Sequence, residues 1–102
     1  MLASFSVVPM GVEEGVGRQV AEILELVDRS GLDYRVGAMQ TTVEGSPEQV
    51  MALILACHEH MRTLAPRVLT HIALDDRAAA TGRLEGKVRD VEAALGRTLR
   101  HE

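Results

Sequence analysis

Ser6, Thr42 and Glu44 are the residues of this chain whose types and placement best suit small-molecule chemistry. In residues 2–8, Ala3, Phe5 and Val7 alternate with Ser4, Ser6 and Val8, the period of a strand with one half-polar face. In residues 41–45, Val43 turned inward leaves Thr42 and Glu44 on the other side. If the two strands are neighbours, Ser6, Thr42 and Glu44 converge on one face. Two hydroxyls and a carboxylate suit a small polar cation, because the carboxylate supplies charge and the hydroxyls fix orientation. Tyr34 is close by in sequence and offers a ring for stacking. Ordinary solvated strand positions, and a half-buried strand tyrosine, would leave the same pattern.

Other chemical groupings are weaker. Cys57, His58 and His60 invite a metal reading, but Cys57 falls within an apolar helical stripe and no second cysteine exists. A buried structural thiol is expected, which also removes it as a nucleophile. Gly15-Val16-Gly17 precedes a helix but lacks the third glycine of a dinucleotide loop. Asp75-Asp76-Arg77 ends a strand and reads equally as a salt-bridged terminus or as a ligand or interface contact. No acid–base pair and no phosphate loop stands out. The expectation is a binding protein without catalytic residues, metal or cofactor.

The elements that must position these residues are legible in order. Residues 13–30 carry Val16, Val20, Ile23, Leu24 and Val27 at helical spacing, and Gly31 stands where a helix end takes a left-handed residue. Residues 32–37 and 41–45 form a hairpin. Ser46, Pro47 and Gln49 then spell a capping box with proline at the first helical position. Residues 47–64 follow, with Val50, Leu53, Ile54, Cys57, Met61 and Leu64 on one stripe. Pro66 stops that helix. Residues 67–74 alternate with apolar groups on both faces, so both are expected to be covered. Ala78 to Gly82 connects to a last helix marked by Leu84, Val88, Val91 and Leu95.

That order predicts an α+β, ferredoxin-like βαββαβ fold with an antiparallel sheet and an extra C-terminal helix. The first and third strands are expected at the sheet centre, with helices on one face only. Apolar residues on the open face, Leu69 and Ala73 among them, predict self-association.

The 102 residues suffice for a single domain, 1–102, and 46% hydrophobic content supports a core. A net charge of −4 argues against a nucleic-acid surface. Residues 1–9 do not read as a signal peptide, and the longest apolar run, 51–57, is too short for a membrane span. A soluble, cytoplasmic protein with no membrane or nucleic-acid partner is expected.

The chain also resembles the small thiamine-binding proteins of the YkoF-like superfamily. The resemblance rests on Ser30-Gly31-Leu32 with Tyr34, Thr41-Thr42 with Glu44-Gly45, Arg67-Val68 with Thr70, Ile72 and Asp75-Asp76-Arg77, and Gly86-Lys87-Val88. Pro66 stands where the family more often has a short glycine-containing turn. The resemblance implies a ferredoxin-like fold, a homotetramer built as a dimer of dimers, and binding of thiamine or its hydroxymethylpyrimidine part without catalysis. The ligand set read beside it is Ser6, Tyr34, Thr42 and Glu44, with Glu44 the main charged contact. An oligomeric scaffolding module without a ligand is the alternative. An RNA-binding domain of this topology would need aromatics on the central strands, which offer only Phe5.

Overall fold

The computed structural model describes residues 1–12, 16–78 and 82–100. Seven elements follow one another: β1 (Leu2–Met10), α1 (Gly17–Arg29), β2 (Asp33–Val36), β3 (Thr41–Glu44), α2 (Pro47–Arg62), β4 (Arg67–Asp75) and α3 (Arg83–Leu95). The strands form one antiparallel sheet in the order β2-β3-β1-β4. This is the ferredoxin-like arrangement, with β1 and β3 central and a third helix appended.

Local chemistry accounts for the joints. Gly31 holds a φ of 77°, the left-handed conformation that ends α1 without a steric cost. At α2, the Ser46 hydroxyl accepts from the Gln49 N–H at 3.2 Å, and the Gln49 side chain accepts from the Ser46 N–H at 3.1 Å. Two otherwise orphaned donors are thereby satisfied. A Cβ at Gly45 would lie 2.9 Å from the end of the Leu32 side chain, which would have to shift to admit it.

One face of the sheet holds the core. Ala3, Phe5, Val7 and Val43 from the central strands meet Ile23 and Val27 of α1 and Val50, Ile54, Cys57 and Met61 of α2. Val50, Leu53, Ile54, Cys57 and Met61 of the α2 stripe are buried, and Leu64, beyond the helix end at Arg62, is partly buried, whereas Val16 and Val20 at the start of α1 remain exposed. The proposed glycine loop and the first turn of the 13–30 helix include residues 13–15, and the 78–82 connector includes 79–81; both lie partly outside the described residues.

Three expectations are corrected. First, β1 runs through Pro9 to Met10 instead of closing at residue 8. Beyond Phe5 only β4 pairs with it, so proline sits on a stretch with one open side. Second, the helices are not confined to one face: α3 lies against β3 and β2 on the side opposite α1 and α2. Third, β4 is an edge strand whose two faces stay largely open within the chain. Leu69, Ile72 and Leu74 are all more than two-fifths exposed.

Candidate functional site

Register decides which polar groups meet on the face away from α1 and α2. β1 and β3 pair Leu2 with Glu44 and Ser4 with Thr42. Ser4, not Ser6, therefore stands across from Thr42. Ser6 lies two residues further along, opposite His71 of β4. It borders a different, mostly apolar pocket of about 190 Å³ between β1, α1 and the hairpin loop.

Tyr34 is not brought to this face. The loop 37–40, closed by a Gly37 N–H to Gln40 carbonyl bond of 2.9 Å, pairs Val36 with Thr41. Tyr34 then pairs with the buried Val43, and Arg35 with Thr42. Directly paired residues share a face, so Tyr34 turns toward the helices and Arg35 toward the open side. The tyrosine hydroxyl donates to Asp28 of α1 at 2.6 Å. That bond to a carboxylate, and the carboxylate's charge, hold the phenol above its usual pKa.

Glu44 does face the open side, but its carboxylate is engaged. It accepts from the backbone N–H of Arg83 at 2.9 Å and of Leu84 at 3.4 Å. These are the first two residues of α3, whose flanking residue Gly82 supplies no side-chain cap. Glu44 thus caps α3 from another strand, where its negative charge also complements the helix dipole.

Two further ties seat α3. Arg35 pairs with Glu85, which Arg89 also holds, and Lys87 pairs with Asp75 at the end of β4. Both carboxyls are held below their usual pKa. For Asp75 the cause is the hydrogen bond and charge of Lys87; for Glu85 it is the Arg89 bond first and then the Arg35 charge. Asp75 is thus a salt-bridged strand end, and Asp76 lies 4.0 Å from the Met1 amino group.

The result is a cleft of about 460 Å³. Its floor is Leu2, Ser4 and Thr42 of the central strands. One wall is Arg35 and the loop 37–40; the other is Arg83, Leu84, Lys87 and Val88 of α3. The Ser4 hydroxyl donates to the Gln40 side-chain oxygen at its edge. A smaller pocket of about 90 Å³ adjoins it, bounded by Leu2, Glu44, Asp75 and Arg77 among others. Apolar Leu2, Leu84 and Val88 with a few hydroxyl and amide groups suit a small, flat, hydrogen-bonding ring, and Arg35, Arg83 and Lys87 add positive charge on both walls.

The residues missed from sequence are Ser4, Arg35, Gln40, Arg83 and Lys87. Arg35 was recoverable: once Val43 is taken as inward, a four-residue loop fixes the parity of β2. Lys87 belongs to the Gly86-Lys87-Val88 motif, but only the docking of α3 gives it a place in the cleft.

The cysteine and histidines serve elsewhere. Cys57 is fully buried, and burial pushes its thiol up to about 11. His58 shares a hydrogen bond of 2.7 Å with Thr70 of β4, and His60 one of 3.3 Å with Glu22 of α1. Among the described residues no group of three His, Cys, Asp or Glu could hold a metal ion, and no helix is long and apolar enough to cross a membrane.

Fold and cleft together define a ferredoxin-like module with a cleft of about 460 Å³ between its open sheet face and an appended helix. The chain belongs to the thiamine-binding protein family, whose model matches residues 3–92. A UPF0045 protein of Mycobacterium bovis is 41% identical over 96 residues, covering 93% of this chain and 94% of the relative. Another from Synechocystis is 32% identical, covering 93% of this chain and 79% of that one. A protein of Thermotoga maritima, provisionally described as a thiamine biosynthesis or salvage protein, superposes with a TM-score of 0.78 at 28% identity, over 88% of this chain and 96% of its own. A Methanocaldococcus jannaschii protein shares the fold with a TM-score of 0.81 at 22% identity, over 88% and 93%.

Proposed function

We propose that this chain reversibly binds thiamine or its hydroxymethylpyrimidine part, without catalysis, in the cleft between β1, β3, the hairpin and α3. The observation that carries this reading is the match to the thiamine-binding family along residues 3–92. The Thermotoga neighbour's description points the same way. Ser4, Gln40 and Thr42 are the groups proposed to meet the aminopyrimidine nitrogens. Glu44 contributes by seating α3, and Ser6 and Tyr34 drop out of the contact set.

The same reading takes the protein as a cytoplasmic homotetramer, a dimer of dimers. Its support is β4, a nine-residue edge strand with exposed Leu69, Ile72 and Leu74. Such an edge invites pairing with another copy. Light scattering should report a species several times 11.1 kDa; a stable monomer at micromolar concentration would overturn this part.

Calorimetric titration with thiamine and with hydroxymethylpyrimidine tests the ligand. Saturable binding is expected, weakened about fivefold in Thr42→Val through one lost hydrogen bond of about 1 kcal/mol. Failure of both compounds to bind at millimolar concentration would sink the reading. It would leave an oligomeric scaffolding module as the better account.

A further inference from the structure

The charges around the cleft do not match a cationic ligand. Three of the chain's eleven lysines and arginines line it, and one of them, Lys87, is the chain's single lysine. Among the described residues no aspartate or glutamate does so, although the protein carries a net charge of −4. Arg35 comes from β2, and Arg83 and Lys87 come one turn apart from α3. Three separate side chains thus bring positive charge to one concavity from opposite walls.

The partners of these cations lie outside the lining. Arg35 pairs with Glu85, Arg83 with Asp90 at 2.9 Å, and Lys87 with Asp75. Glu85, Asp90 and Asp75 are each about half exposed or more. Exposed pairs of this kind are held weakly, so the long cationic side chains can turn to another anion. Glu44, the carboxylate nearest the cleft on the sheet, is occupied by the Arg83 and Leu84 amides. Those bonds hold its carboxylate in the adjoining smaller pocket, outside the lining of this cleft.

We infer that the ligand bound in this cleft is a phosphomonoester of the aminopyrimidine or of thiamine, its phosphate received by Lys87, Arg83 and Arg35. This deepens the function proposed above and rests on it. A phosphomonoester carries a charge near −1.5 to −2 at neutral pH and offers strong acceptor oxygens. Arginine meets such oxygens with two parallel donors, and lysine meets them as a point charge. The polar groups on the floor, Ser4 and Thr42, remain for the ring.

Calorimetry at fixed salt separates the possibilities. The ligands are hydroxymethylpyrimidine and its phosphate, thiamine and thiamine monophosphate, and inorganic phosphate. Each ester is expected to bind at least about tenfold more tightly than its parent alcohol, the gain of one charge-assisted contact. That gap should fall below about threefold in Lys87→Gln or Arg35→Gln and narrow as salt is raised. The two variants replace residues in exposed pairs and are expected to fold. If one does not, the other and the salt dependence of the wild-type gap still decide. Equal binding of ester and alcohol overturns the phosphate inference while leaving the proposed function intact. Failure of all four organic compounds to bind overturns both. Lysine-dependent binding of inorganic phosphate alone also overturns the ligand named here. Which ester shows the larger gap tells the pyrimidine phosphate from the thiamine phosphate.

Discussion

Replacing Glu44 should loosen α3 selectively, because this carboxylate caps a helix otherwise held by partly exposed ion pairs to Arg35 and Asp75 and by a small apolar contact. No residue of α3 is buried, and Val91 and Leu95 are about half exposed. Its apolar residues beside the cleft, Leu84 and Val88, are only partly buried. Glu44→Gln keeps an oxygen for one N–H but removes the charge at the helix N-terminus, a loss of about 0.3–1 kcal/mol. Glu44→Ala removes both acceptors and should cost about 1–2 kcal/mol, as for other lost N-caps. These values correspond to roughly 2- to 5-fold and roughly 5- to 30-fold increases in the opening of α3. Hydrogen exchange followed by mass spectrometry reads this directly. Amides of residues 86–95 should exchange faster by those factors, while α2 and β1 keep their protection because their packing is untouched. Ligand affinity should fall by a similar factor, since Arg83 and Lys87 ride on α3. Unchanged exchange in α3 of folded Glu44→Ala would refute the capping role. Equal acceleration in α2 would show that Glu44 supports the whole domain instead.

Acid should release α3 before the core melts. Asp75 and Glu85 are held below their usual pKa, so their contribution is present above the ordinary carboxylate range and is lost as pH falls through their lowered values, below about pH 4. Exchange in α3 that rises with α2 at every pH would contradict this. Cys57, with its thiol at about 11 and no exposure, should resist labelling at neutral pH until the protein unfolds; rapid native-state labelling would show that the α2 face opens easily. Tyr34→Phe should leave ligand affinity unchanged, because Tyr34 faces the helices, and should lower stability by no more than about 1 kcal/mol through the lost bond to Asp28. A severalfold loss of affinity in that variant would return Tyr34 to the site.

Much of this molecule is fixed by short-range chemistry that a sequence displays. The capping box at Ser46 and Gln49, the left-handed Gly31 and the stripe from Val50 to Met61 each depend on residues within a turn or two of one another. Strand alternation likewise states which residues of β1 and β3 face together, and Ala3, Phe5 and Val43 are buried accordingly. From these follow the element order, the fold and the open polar face of the central strands. What alternation leaves undetermined is register. β1 and β3 are joined through a helix and a hairpin, so their alignment is set by how the helices pack on the sheet. That alignment, not the pattern, puts Ser4 and not Ser6 beside Thr42. A one-residue difference in the hairpin pairing likewise turns Tyr34 inward and Arg35 outward, since side chains alternate with a period of two. The place of α3 is the most tertiary decision of all. Its stripe of Leu84, Val88, Val91 and Leu95 announces a helix with an apolar side but not the surface it meets. Long-range contacts bring Arg83 and Lys87 to the cleft: the bonds from Glu44 to the first amides of α3, thirty-nine and forty residues away, and the pairs Arg35–Glu85 and Lys87–Asp75.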